Sequence, residues 1–259
     1  MKRFTKIACF GDNHGRDVIG LSKTLLNDEG YDRIVMLGDY LDSRLGISEK
    51  EQLLNLERII KLYKNNPSKI VLVVGNHDWQ YIHTTEEYSP RFMDKDNVKR
   101  ATSLLYPLWV NNNFKLIHKE GDIIFSHAGV SQPWLTQSGF DIENGIELYN
   151  NNLIDPSVID FYRGDTSYSG YDPLQSPIWI RPDWAFYNRG CGIESNAYEC
   201  KLQFVGHTNC GSIMERDYVV FCDCLDTEYA KIIIDNESKQ AQVTAVNRTT
   251  GDERAIICC

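Results

Sequence analysis

Several things are missing from this chain, and each absence removes a class of function. No apolar run approaches the roughly 18 to 20 residues of a membrane span; the longer ones are strand-sized, such as Ile70-Val71-Leu72-Val73-Val74. The N-terminus carries Lys2, Arg3 and Lys6, but the apolar run behind them is only Ile7 to Phe10, short of the about 7 to 15 residues of a signal peptide. A cytoplasmic protein with no membrane partner is the expectation. Positive charge is in deficit, with 27 Lys and Arg against 36 Asp and Glu and a net charge of −9, which argues against a broad surface for nucleic acid. Eight cysteines are present, yet none shows paired C-x-x-C spacing. Reduced thiols acting as small hydrophobes are therefore expected, not a disulfide framework or a closed zinc site. The final Cys258-Cys259 pair lacks the C-a-a-X arrangement of a lipid anchor.

Repeats, low-complexity tracts and linkers are also absent. At 259 residues, 42% hydrophobic, the chain suits one sizeable core, so a single domain over 1–259 is expected. An irregular loop or insert at about 163–192 is rich in Gly, Pro, Asp, Ser and aromatics.

What is present begins with an alternation. Lys6 to Gly11, Arg33 to Gly38 and Lys69 to Val74 read as strands. Val18 to Asn27 and a stretch opened by Ser48 read as the helices between them. Ser48 with Glu51 forms a capping box, and Leu53, Leu56, Ile60 and Tyr63 follow at helical spacing. That order implies parallel βαβ units. Phe114 to His118 and Ile123 to His127 read as a hairpin, and Trp134 to Asp160 as helical with a break at Pro156. Lys201–Val205, Tyr218–Cys222, Tyr229–Ile234 and Ala241–Val246 read as later strands in an antiparallel second half.

The polar residues collect at the ends of these strands. The blocks are Gly11-Asp12-Asn13-His14-Gly15, Gly38-Asp39-Tyr40-Leu41-Asp42, Gly75-Asn76-His77-Asp78, Ser126-His127-Ala128-Gly129 and Gly206-His207-Thr208. Four of the six histidines fall in them, where α/β sheets bind ligands. Asp, Asn and His offer oxygen and nitrogen donors that Mn²⁺, Fe and Zn²⁺ accept. Six such ligands exceed what one catalytic ion with open positions needs and suit two ions sharing a carboxylate.

In this order, G-D-x-H-G, G-D-x-x-D, G-N-H-[DE], H-[AG]-G and G-H resemble the calcineurin-like metallophosphoesterase superfamily. The details lean towards its phosphoprotein phosphatase branch, with the bacterial and phage members and the symmetrical diadenosine tetraphosphatases. The resemblance runs from Asp12 to about Asp226. It implies a four-layer αββα sandwich, α/β (α+β) in class: two mixed β-sheets flanked by helices. It further implies a hydrolase in which Asp12 and His14 bind one metal, Asp39 bridges, and Asn76, His127 and His207 bind the other. Mn²⁺ stands first among the metals, with Fe or Zn²⁺ as alternatives. A metal-bridging hydroxide would attack phosphorus in line, His77 would protonate the leaving oxygen and Asp42 would orient His77. Arg181, in Trp179-Ile-Arg181, resembles a phosphate-gripping arginine of related bacterial phosphatases, and Asn76 would also face the phosphate.

The chain departs from the pattern in three places. Ser43 follows Asp42 where an arginine is usual, so Arg44 comes one residue late as a candidate phosphate ligand. Val73-Val74 replaces an arginine before G-N-H, and Asp78 stands where glutamate is usual. Asp78 and Asp226 read as structural, the former bonding backbone in its turn, and His83 and His118 fall outside the site. The leading substrate is a phosphomonoester, phosphoserine or phosphothreonine included. A dinucleoside tetraphosphate is the alternative, with Tyr168, Tyr171, Trp179 and Trp184 as base-stacking candidates. A phosphodiester or a non-catalytic scaffold ranks below both, and oligomeric state is not readable.

Overall fold

The structure is a computed structural model that describes residues 2–83, 89–138, 172–182 and 200–258. Twelve strands and five helices are defined there. Strands β1 (Phe4–Phe10), β2 (Arg33–Met36) and β3 (Ile70–Val73) alternate with helices α1 (Ile19–Asn27) and α2 (Glu49–Asn65). Helices α3 (Asn76–Ile82) and α4 (Lys95–Val110) come next, then β4 (Phe114–Lys115), β5 (Ile117–Glu120), β6 (Ile123–Ser126) and α5 (Gln132–Ser138). The remaining strands are β7 (Leu202–Asn209), β8 (Met214–Arg216), β9 (Val219–Asp223), β10 (Glu228–Asp235), β11 (Ala241–Asn247) and β12 (Glu253–Cys258).

They form two mixed sheets, ordered β12-β11-β10-β1-β2-β3-β4 and β5-β6-β7-β9-β8. The βαβ reading holds: β1, β2 and β3 pair in parallel, and Ser48 Oγ accepts from Glu51 N at the start of α2, a cap of the kind worth about 1 kcal/mol. In strands β1 to β3 both faces are apolar. Ala8, Phe10, Ile34, Met36 and Leu72 meet Leu25, Leu53, Leu56, Ile59 and Trp109 of α1, α2 and α4. Ile7, Cys9, Val35 and Val73 meet Ile123, Phe125, Leu202, Phe204 and Cys222 of the smaller sheet. That double burial explains the continuous apolar runs, since alternation appears only where one face is wet. The fold is the expected pair of mixed β-sheets, packed face to face with helices outside.

Two expectations are corrected. The segment read as one hairpin strand, Phe114 to His118, divides at Leu116: β4 joins β3 in the larger sheet while β5 pairs with β6 in the smaller. Alternation in sequence reports burial and is silent about which neighbour a strand chooses. The second half is not purely antiparallel, because β6 with β7 and β7 with β9 run parallel. Helices α3 and α4 and strands β8 and β12 had not been singled out. Of the helix read over Trp134 to Asp160, α5 covers only the beginning, and residues 139–171 lie outside the described set, as does most of the 163–192 segment. No helix among the described residues is long and apolar enough to cross a membrane.

Candidate metal centre

Three loops at the carboxyl ends of β1, β2 and β3 are tied into one base. Backbone bonds run from Asn13 N to Gly38 O (3.2 Å), His14 N to Asp39 O (2.6 Å) and Gly15 N to Tyr40 O (2.8 Å). Asp78, wholly buried, joins the third loop to the second. Its carboxylate accepts from Gly75 N and Asp39 N (2.8 Å each) and from Tyr40 N (2.9 Å). This is the structural role anticipated for it. Arg16, which the sequence did not flag, donates to the carbonyls of Asp12 and Asn13 and is gripped by both oxygens of Asp226 (2.6 and 2.7 Å). Asp226 thus supports the first loop from the far side.

The base and β7 both hold strained backbone. His14, Asp39, Asp42 and His207 have φ of +46°, +51°, +64° and +57°, a region costly for residues with a side chain and concentrated at functional sites. His207 lies inside β7, not after it, in the register shift between Val205 and Asn209. A bulge of that kind re-aims a side chain out of the ladder. Two glycines make room for the carboxylates: a Cβ at Gly75 would collide with the Asp39 carboxylate, and one at Gly206 with that of Asp12.

Asp12, His14, Asp39, Asn76, His127 and His207 converge in space. Asp12, His14 and Asp39 form one triad of donors and Asp39, His127 and His207 a second, with atoms in each lying within 4.8 Å of one another. Asp39 belongs to both, its Oδ2 3.9 Å from His14 Nε2 and its Oδ1 3.5 Å from His127 Nε2. Asn76 Oδ1 is 2.9 Å from His127 Nε2. His207 N donates to Asp12 Oδ1 at 2.9 Å.

The electrostatics suit cations. Burial, then repulsion from Asp12, pushes Asp39 well above the usual carboxylate range, a penalty that a positive ion relieves. Burial pulls His14 down, His207 far down and His127 to about 4, so these rings are neutral at pH 7 and able to ligate. The Nδ1 atoms of His14 and His127 lie 3.0 and 2.7 Å from the carbonyl oxygens of Leu41 and Leu37. A carbonyl only accepts, so each Nδ1 carries the hydrogen and each Nε2 keeps its lone pair for the centre. Nε2 of His127 then faces Asn76 Oδ1 lone pair to lone pair, which a shared cation reconciles. The residues present fit a metal pair.

Beside this cluster sits a buried acid–base pair. His77 Nδ1 is 2.6 Å from Asp42 Oδ2, and its Nε2 is 3.9 Å from Asp39 Oδ2. The other carboxylate oxygen of Asp42 accepts from the Tyr81 hydroxyl at 2.5 Å. Arg181 Nη1 donates to His207 O at 2.9 Å. Arg44 is exposed, yet close enough to Arg181 for their like charges to repel. Tyr81, Arg16 and the buried Asp223, raised by burial and the Asp12 charge, are site neighbours that sequence reading missed. Tyr81 lies four residues after His77, and a helix assigned there would have placed both on one face. His83 stacks on Trp79, and His118 lies 3.0 Å from Glu120; both stand apart from the centre. Trp179 is largely buried and edge-on to His207 at 6.0 Å, while Tyr168, Tyr171 and Trp184 lie outside the described residues.

Comparison with known proteins bears on the fold and the family. The structure is similar to a cold-active protein-tyrosine phosphatase of a psychrophilic Shewanella species, with 15% identity and a TM-score of 0.62 over 98% of this chain and 80% of that one. It is similar as well to a protein serine/threonine phosphatase from Saccharomyces cerevisiae with similarity to human PP5, with 13% identity and a TM-score of 0.50 over 90% of this chain and 73% of that one. No curated protein matches the chain. Residues 5–210, most of the chain, match the calcineurin-like phosphoesterase family, and the chain belongs to that family of metal-dependent phosphoester hydrolases.

Proposed function

We propose that this enzyme hydrolyses phosphomonoesters, phosphoserine and phosphothreonine esters among them, with two transition-metal ions of which Mn²⁺ is the first candidate and Fe or Zn²⁺ the alternatives. The observation that carries the reading is the pair of donor triads sharing Asp39, with the buried His77–Asp42 couple alongside. Asp12, His14 and Asp39 would hold one ion, and Asp39, Asn76, His127 and His207 the other. Bound there, the ions supply Lewis acidity to the phosphoryl oxygens and activate water.

The chain's own groups do the rest. Asp42 fixes the His77 ring through Nδ1, so a proton on Nε2 is presented beside Asp39, where a departing oxygen can take it. Arg181 is anchored by the His207 carbonyl and, with Arg44, presents positive charge to a phosphate; a guanidinium matches phosphate oxygens two at a time. Asn76 stands within reach of the same phosphate. The work is assigned to a single domain over 1–259 in a reducing cytoplasm, a setting supported by the free thiols of Cys9, Cys200, Cys210, Cys222 and Cys224.

The test is a turnover panel with Mn²⁺: an aryl phosphate monoester, an aryl diester, a phosphopeptide and diadenosine tetraphosphate, each repeated with Asp39→Asn. Monoester or phosphopeptide turnover that the substitution abolishes is expected. Preferred cleavage of the dinucleotide or the diester overturns the substrate class, and no turnover with Mn²⁺, Fe or Zn²⁺ overturns the catalytic reading. Within the panel, Arg44→Ala raises KM if Arg44 meets the phosphate; unchanged KM and kcat remove it from the site.

A further inference from the structure

The Asp42 carboxylate is held at both ends. Oδ2 meets His77 Nδ1 at 2.6 Å and Oδ1 meets the Tyr81 hydroxyl at 2.5 Å. A carboxylate held by one bond can swing about its terminal torsion, which is broad and soft. Held by two, it has one orientation, and the imidazole bonded to it inherits that orientation. Tyr81 is itself rigid: its ring is 1% exposed and packs edge-on to Phe92 at 5.3 Å. Its own carbonyl accepts from Thr102 Oγ1 at 2.9 Å. His77 and Tyr81 are four residues apart on α3, so one helix face carries the acid and the group that fixes the acid's partner.

Resting on the proposed phosphomonoester reaction, we infer that Tyr81 is a positioning residue for proton delivery, locking Asp42 so that His77 Nε2 points at the departing oxygen. The hydroxyl bonds to Asp42 and acts through it. Burial and the adjacent carboxylate push the phenol far above its ordinary range, so it stays a donor throughout the working range of pH. Its contribution therefore depends on how much the leaving group needs a proton. A nitrophenolate departs with little help, whereas an alkoxide departs only when protonated, and general acid catalysis is worth roughly 100- to 10,000-fold for such a group.

The experiment compares wild type, Tyr81→Phe and Asp42→Asn, loaded with Mn²⁺, on 4-nitrophenyl phosphate, phenyl phosphate and an alkyl phosphate. Tyr81→Phe removes one oxygen and keeps the packing, and metal content and thermal unfolding are measured on each variant. The expected result is a kcat loss that grows with leaving-group basicity. For Tyr81→Phe it is within about twofold for the nitrophenyl ester and at least about tenfold for the alkyl ester, with KM unchanged. Asp42→Asn follows the same trend with a larger slope. An equal loss on all three esters, or none, overturns the inference and leaves Tyr81 a packing residue. Wild-type protein inactive on every ester would instead overturn the proposed reaction, and the inference with it.

Discussion

The loops that follow β1, β2 and β3 and the strands β6 and β7 reach the same centre by different means. The first two are bonded to each other backbone to backbone, the Asp78 carboxylate clasps the third to the second, and Arg16 braces the first from within. The three loops supply Asp12, His14, Asp39, Asp42, Asn76 and His77. The two strands of the smaller sheet supply one imidazole each, and each is docked to the base through few bonds: His127 Nδ1 to Leu37 O, and His207 N to Asp12 Oδ1. The lesson is a division of labour. One sheet builds a strained, preorganised carboxylate base, and the other closes it with neutral histidines, of which His127 has its tautomer set by a carbonyl of the base.

This contrast can be broken at its strongest point by Asp39→Asn, which removes the one carboxylate common to both triads. Activity is expected to fall at least about 1,000-fold, roughly 4 kcal/mol of transition-state stabilisation. Metal content should fall with it, and a variant retaining both would refute the sharing. Asp78→Ala comes next. It leaves three buried N–H groups without their acceptor, each worth about 1 to 3 kcal/mol. Urea unfolding of the metal-free protein should therefore register a loss of about 3 kcal/mol or more. Asp226→Ala should be the mildest, at or below about 1 kcal/mol, because its carboxylate is half exposed and surface ion pairs contribute little. If Asp78→Ala and Asp226→Ala cost the same, the idea of an internally braced base fails.

The same contrast explains what could be read from sequence. The three βαβ strands are buried on both faces, so their apolar runs, the Ser48–Glu51 cap and the polar blocks at their ends stood out without any partner information. The candidate donors after these three strands, Asp12, His14, Asp39 and Asn76, stood out for the same reason: polar residues do not otherwise terminate buried strands in such order. The smaller sheet was less legible because its pairing depends on long-range choices. Leu116 hides a change of sheet, and Gly206-His207 read as a strand end but proved to be a bulge inside β7. Helix α3 escaped because it is only seven residues long and its first turn is made of the site residues themselves. With it went Tyr81. Arg16 shows a further limit, since a charged side chain spent on backbone carbonyls leaves no spacing to recognise.

The central claim is that this chain holds two ions about one shared carboxylate, and calorimetric titration of metal-free protein with Mn²⁺ tests it most directly. Wild type should take up two ions per chain. His14→Ala and His207→Ala should each retain one, and Asp39→Asn should bind weakly at both positions. A wild type that binds a single ion or none, or a His14→Ala variant that still binds two with unchanged affinity, would contradict the account.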